Sequence, residues 1–129
     1  MKKFLIPVII ILFFTSLQGK GSLVSVTADE FEAYIKKYGT EQLLDVRTPQ
    51  EYDLGHIPGA KLVNIYDSDF KQKIAALNFS KSKPVLIYCR SGNRSLVAGR
   101  YLAEQGFQVI NLKYGIKDWV LKNKPVDKK

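Results

Sequence analysis

Val85-Leu86-Ile87-Tyr88 runs without a polar break directly into Cys89-Arg90-Ser91-Gly92-Asn93-Arg94-Ser95. This feature constrains the chain more than any other. A short strand that is apolar on both faces must be covered on both faces, which places it in the middle of a parallel sheet flanked by helices. The chain has a single cysteine, so no intrachain disulfide can substitute for an apolar core. With 46 % hydrophobic and 25 % charged residues it has the ordinary globular mix, which excludes a disordered chain, a collagen-like repeat or a multispan membrane protein. A length of 129 residues fits one domain.

The segments around the apolar run alternate between strand and helix. Leu23–Val26 is extended. Thr27-Ala28-Asp29-Glu30 is a capping box, and Phe31, Tyr34, Ile35 and Tyr38 then share one helical face up to Gly39. Gln42–Val46 is a second strand. Thr48-Pro49-Gln50-Glu51 is a second capping box, with proline at the first helical position, opening a short helix that stops at Gly55. A strand over Leu62–Ile65 and a helix from Asp69 to about Leu77 precede Val85–Tyr88. The loop from Cys89 to about Asn93 opens a helix that ends before Gly106. Gln108–Leu112 is the last strand and Ile116–Lys122 the last helix, stopped by Pro125. The expected fold is an α/β domain with an open, mainly parallel five-stranded sheet and helices on both faces.

Residues 1–21 are different in kind. Two lysines, the apolar run Phe4–Phe14 and a small or polar stretch through Gly21 are the three regions of a secretory signal peptide. The run is shorter than the roughly 20 apolar residues of a spanning helix. The expectation is a leader over 1–21, a single domain over 22–129 with a short basic tail, and export, with no stable membrane span once the leader is removed. An uncleaved leader would instead anchor the protein. The net charge of +8 loses Lys2, Lys3 and Lys20 with the leader. The remaining lysines are scattered without interleaved aromatics, so they predict a solvated basic surface that attracts small anions, and no nucleic-acid partner.

Chemistry is concentrated after the central strand. Ligands of open parallel sheets bind beyond the carboxyl ends of the strands, and Cys89 stands at such an end. Gly92 permits a tight loop, and the loop N–H groups with the following helix start converge on its centre. A thiol facing that centre is expected to ionise more readily than a free one. Arg90 and Arg94 add positive charge. A buried inert cysteine fits less well with a glycine and two arginines at the entry to a helix.

Cys89–Ser95 resembles the active-site loop of the rhodanese-like sulfurtransferases. Leu44-Asp45-Val46-Arg47-Thr48-Pro49-Gln50-Glu51-Tyr52, Gly55-His56-Ile57-Pro58-Gly59-Ala60 and Gly115-Ile116-Lys117-Asp118-Trp119 resemble other segments of that family, in the same order and over about residues 24–124. Together with the leader, they make the chain similar to the family's small periplasmic single-domain members, the phage-shock type included, and this resemblance makes the periplasm the expected destination. The resemblance implies Cys89 as nucleophile and a loop of Arg90, Ser91, Gly92, Asn93, Arg94 and Ser95 that holds a persulfide. It also implies an anionic sulfur donor such as thiosulfate, a small-molecule or protein thiol (cyanide in an assay) as acceptor, and no metal or organic cofactor. Asp45 and Arg47 match a structural Asp-x-Arg, expected as a buried or half-buried pair that holds loops near the site. His56 is expected in a structural turn, Glu51 as primarily a helix cap, and Trp119, Phe107, Tyr101 and Tyr114 as packing residues. Arg90 is expected at the exposed rim. Many members carry Gly-Gly where this chain has Tyr114-Gly115, which puts the acceptor in question.

One spacing separates two chemistries. A cysteine phosphatase needs five residues between its cysteine and arginine to wrap a phosphate. Here four residues lie between Cys89 and Arg94, and Ser95 takes the arginine position. The same residues would also suit a persulfide relay that needs a protein partner, or a non-catalytic binding module. Loss of Cys89 would abolish transfer and relay but leave binding intact.

Overall fold

The computed structural model describes residues 19–129. The leader assigned to 1–21 therefore lies outside the described residues except for its last three. Five strands, β1 (Ser22–Val26), β2 (Leu43–Asp45), β3 (Lys61–Leu62), β4 (Val85–Tyr88) and β5 (Gln108–Leu112), form one open sheet in the order β1-β5-β4-β2-β3, and every pairing is parallel. Four helices connect them, α1 (Ala28–Tyr38), α2 (Pro49–Leu54), α3 (Phe70–Ala76) and α4 (Asn93–Glu104), and α5 (Gly115–Leu121) follows β5.

The alternation of side chains along β4 divides the core in two. Leu86 and Tyr88 pack with Phe31, Ile116 and Trp119 on the face covered by α1 and α5. Val85, Ile87 and Cys89 point the other way, into Phe70, Ile74, Ala98 and Leu102 of α3 and α4. All four β4 residues are buried, which is why the strand reads as a continuous apolar run. Trp119 meets Phe31 edge-on and donates its indole N–H to the Pro125 carbonyl at 2.8 Å, so the chain after α5 is tied to the core.

Both capping boxes form. Thr27 accepts from the Glu30 amide while the Glu30 carboxylate accepts from the Thr27 amide at 2.9 Å, and Thr48 and Glu51 repeat the arrangement. Each cap is worth about 1 kcal/mol. The third strand differs from the expectation. It covers only Lys61–Leu62 rather than Leu62–Ile65: the Val63 and Ile65 amides still donate to the Asp45 and Val46 carbonyls at 3.0 and 3.1 Å, but the Asn64 side chain accepts from the Tyr66 amide and a turn begins there. Tyr114, expected to pack, is 53 % exposed.

The chain leaves β2 toward β3 on one side of the sheet and leaves β4 toward β5 on the other, although β2 and β4 are neighbours. Their carboxyl ends thus border the point where strand order reverses, the usual crevice of such sheets. Asp45 ends β2, and Cys89 follows β4.

Candidate active site

Cys89 is 1 % exposed. Its Sγ accepts a hydrogen bond from the Gly92 amide at 3.1 Å and lies 3.3 Å from the Ser95 hydroxyl. Burial alone would push the thiol up. The Ser95 hydroxyl and the amides of Ser95, Gly92 and Ser91 outweigh it, and the thiol is held below its ordinary value. The arrangement stabilises negative charge on sulfur with neutral donors.

Two glycines make the loop possible. Gly92 has φ +103°, and a Cβ there would strike the Lys113 carbonyl. Gly115 has φ +71°, and a Cβ there would strike the Arg90 carbonyl. Both positions combine a left-handed backbone with close approach of another chain segment. The approach is useful: the Ile116 amide donates to the Cys89 carbonyl at 2.9 Å and the Lys117 amide to the Arg90 carbonyl at 3.1 Å, so α5 is stitched to the loop. Tyr114 has φ −107°, an ordinary value, so the left-handed conformation here is required only of Gly115.

Arg94 lies in the loop but its guanidinium turns to Glu51. Nη1 and Nη2 donate to Oε1 and Oε2, both at 2.8 Å. Hydrogen bonds from Arg94 hold the Glu51 carboxyl at about 2, against the cost of partial burial and with further help from Thr48. Arg94 is raised above the ordinary guanidinium value, chiefly by Glu51, with a smaller contribution from Cys89. Glu51 is therefore more than the expected cap: it joins α2 to the loop. The first turn of α2 is also where a carboxylate complements the helix dipole.

Asp45 and Arg47 form the expected buried pair. Arg47 donates from Nε at 2.9 Å and from Nη2 at 2.6 Å to the Asp45 carboxylate, and from Nη2 to the Gly55 carbonyl at 2.8 Å. Burial opposes the Arg47 charge, but Asp45 overcomes it and the guanidinium is raised. The pair fixes the end of α2 against the end of β2. His56 stacks on Tyr52 with centroids 3.7 Å apart, its Nδ1 is 3.0 Å from the Tyr52 carbonyl, and its backbone pairs with Asp127. These contacts make it a turn residue, as expected. Arg90, Ser91 and Asn93 are exposed at the rim.

Two residues of the site were not singled out from sequence. Asn111 is 1 % exposed, accepts from the Ser95 hydroxyl at 2.6 Å and donates to the Ser25 hydroxyl at 3.1 Å. Ser95 has one proton and three acceptors, Asn111 Oδ1, Cys89 Sγ and the Gly92 carbonyl, and Asn111, the nearest, competes with the sulfur for it. The signal in the sequence is a lone amide in the otherwise apolar run Val109–Leu112. Tyr88, in turn, accepts the Ile57 amide at 3.0 Å, and burial first and Asp45 second keep its phenol protonated.

Comparison with known proteins follows the same lines. The rhodanese-like domain family matches residues 27–122. A sulfurtransferase from Allochromatium vinosum is 38 % identical over 85 residues, covering 65 % of this chain and 76 % of that protein. A Bacillus subtilis protein named "Putative sulfur carrier protein YrkF" is 32 % identical over 105 residues, covering 81 % of this chain; the chain spans 55 % of the length of that relative. Among solved structures, a rhodanese-related protein from Thermoplasma volcanium superposes with a TM-score of 0.71 at 28 % identity, covering 81 % of this chain and 98 % of the other.

Proposed function

The chain belongs to the rhodanese-like domain family, and on that premise we propose that it moves a sulfane sulfur from thiosulfate or a similar anionic donor to a thiophilic acceptor through a persulfide on Cys89. The Cys89 thiolate attacks the outer sulfur of thiosulfate, a new S–S bond forms, and the old one breaks with its electron pair leaving on sulfite. The perthiolate on Cys89 is then attacked at its outer sulfur by cyanide or a thiolate, the Cys89 thiolate departs, and thiocyanate or a new persulfide is released. Splitting one transfer into two steps is covalent catalysis. Atoms and charge balance in both halves, and no cofactor enters.

One observation carries the proposal: the buried Cys89 Sγ lies beneath the Gly92 amide and Ser95 hydroxyl at the switch point of the sheet. A phosphatase reading is disfavoured because Arg94, which would have to wrap a phosphate, is engaged at both nitrogens by Glu51. A sulfur-carrier reading draws support from the name of the Bacillus relative and from the single cysteine, which leaves the persulfide to be discharged by another molecule. The test is the intact mass of the purified protein after thiosulfate treatment, with Cys89→Ser as control. A gain of one sulfur atom in the wild type alone, removed by cyanide, is expected. No gain in a folded protein would end the thiosulfate reading; a gain removed poorly by small acceptors would favour the carrier. The reading also retains export by residues 1–21, tested by N-terminal sequencing of the protein from fractionated cells. Among the described residues no helix is long and apolar enough to cross a membrane.

A further inference from the structure

A groove of about 530 Å³ adjoins the Cys89 loop. Its walls carry Leu54 from α2 and Val120 and Leu121 from α5, which are 78 %, 50 % and 72 % exposed. Three such side chains in one concavity form an apolar patch that the fold does not cover. The groove reaches the loop at two points. Arg90 lines it directly, and Glu51, which holds Arg94, lines it on the α2 side.

The charge around this patch is one-sided. Arg90, Lys117 and Lys128 line the groove, and among the described residues none of the three has a carboxylate within ion-pair distance. The two other charged lining residues are already engaged, Arg47 with Asp45 and Glu51 with Arg94. What remains is an apolar surface under three cations without an ion-pair partner among the described residues, adjoining through Arg90 the loop whose sulfur needs an external nucleophile.

We propose that this groove docks the acceptor: a partner protein that presents its thiol on an acidic segment with apolar side chains beside the cysteine. The inference rests on the persulfide reading above and names the acceptor class for that site. Apolar side chains this exposed fit a protein surface better than a small thiol, which would leave most of them in water. The cations complement acidic residues flanking the thiol, and steer the encounter at low salt. Sulfur then passes from Cys89 to the docked thiolate, with Cys89 leaving as thiolate.

Three blocked peptides serve as probes: Glu-Leu-Cys-Leu-Glu, Lys-Leu-Cys-Leu-Lys and Glu-Ser-Cys-Ser-Glu, with 2-mercaptoethanol and glutathione for comparison. Each is reacted with the persulfide-loaded full chain and discharge is followed by mass. Comparing one peptide against wild type and variants cancels its own thiol reactivity. With Glu-Leu-Cys-Leu-Glu, Lys117→Glu/Lys128→Glu and Leu121→Ser are each expected to slow discharge by about tenfold, while 2-mercaptoethanol changes by less than about twofold. The charge effect should shrink in about 0.5 M salt. Equal rates in wild type and variants would overturn the proposal. So would glutathione losing as much as the peptide in Leu121→Ser, which would assign the groove to small thiols. If no persulfide forms, the reading of the reaction fails separately, and docking is still tested by titrating Glu-Leu-Ser-Leu-Glu while following the backbone amide signals of Leu54, Val120 and Leu121. Shifts absent there would refute the groove, and shifts lost in Leu121→Ser would sustain it.

Discussion

Glu51→Gln isolates one interaction with little collateral change. Glutamine can still accept the Thr48 amide, since a capping box works with either residue at that position; the charge opposite Arg94 and one of its two acceptors are lost, because an amide nitrogen only donates. In the wild type both carboxylate oxygens are 2.8 Å from guanidinium nitrogens, and the carboxyl is held at about 2 rather than 4.5. Taken whole, that depression corresponds to roughly 3 kcal/mol. The Glu51 side chain is 27 % exposed and part of the depression comes from Thr48, so solvent screening and the surviving cap reduce the expected loss to about 1–2 kcal/mol. The sign follows from linkage. A carboxyl depressed in the folded state stabilises fully above its unfolded value near 4.5, and the contribution fades as pH falls toward about 2. Urea unfolding of the two proteins should therefore differ by a constant amount from pH 7 down to about 5.5, and the difference should close between about 4.5 and 2. A loss below about 0.3 kcal/mol at pH 7, or a gap that persists at pH 2, would refute the claim that this ion pair fastens α2 to the loop.

Three further outcomes follow from the hydrogen bonds around Sγ. Ser95→Ala removes a donor that favours the thiolate, so the Cys89 alkylation profile should move to higher pH and the rate with iodoacetamide at pH 7 should fall by about tenfold or more, since a hydrogen bond to a charged group is worth about 1.5–3 kcal/mol. Asn111→Leu removes the shortest acceptor of the buried Ser95 hydroxyl and the bond to the exposed Ser25, and should cost about 1–2 kcal/mol in urea unfolding; with that rival gone, Ser95 is freer to donate to sulfur and the alkylation profile should move to lower pH. Gly92→Ala forces a Cβ onto the Lys113 carbonyl in a left-handed backbone, and should cost at least about 1–3 kcal/mol by thermal unfolding while lowering persulfide yield.

How much of this was legible in the sequence depends on the range of the interaction concerned. Caps, the proline at the start of α2 and the apolar β4 run are local patterns, and each element they imply is present. β3 is shorter than its apolar string because the Asn64 turn interrupts the ladder, although Val63 and Ile65 keep their bonds to Asp45 and Val46; the string Leu62–Ile65 carries no sign of that turn. In the site, the Cys89 loop and the Asp45–Arg47 pair lie within short stretches of chain. The Glu51–Arg94 bridge spans 43 residues and Asn111–Ser25 spans 86, so neither leaves a local spacing to read. Tyr114, expected to pack with the other aromatics, faces solvent instead, since only Gly115 is confined by the Arg90 carbonyl.

The placement of charge bears on why a six-residue loop suits sulfur. A phosphate brings two negative charges, and a loop that binds it needs a cation turned inward. A thiolate or perthiolate brings one, and a few neutral donors can hold it without a buried counter-ion. Here the donors nearest Sγ are neutral, from Gly92, Ser95 and Ser91, while Arg94 faces outward to Glu51. An inward arginine would bind the perthiolate more tightly and slow its discharge. On the proposed sulfur-transfer reading, turning that cation into a structural clamp, and leaving Arg90 free at the rim to meet an anionic donor or acceptor, would separate holding the sulfur from attracting its partners. By this logic Glu51 protects turnover as well as stability. In Glu51→Gln the freed guanidinium can swing toward sulfur, so persulfide formation should survive while its transfer to a thiol slows, and equal slowing of both half-reactions would contradict the idea.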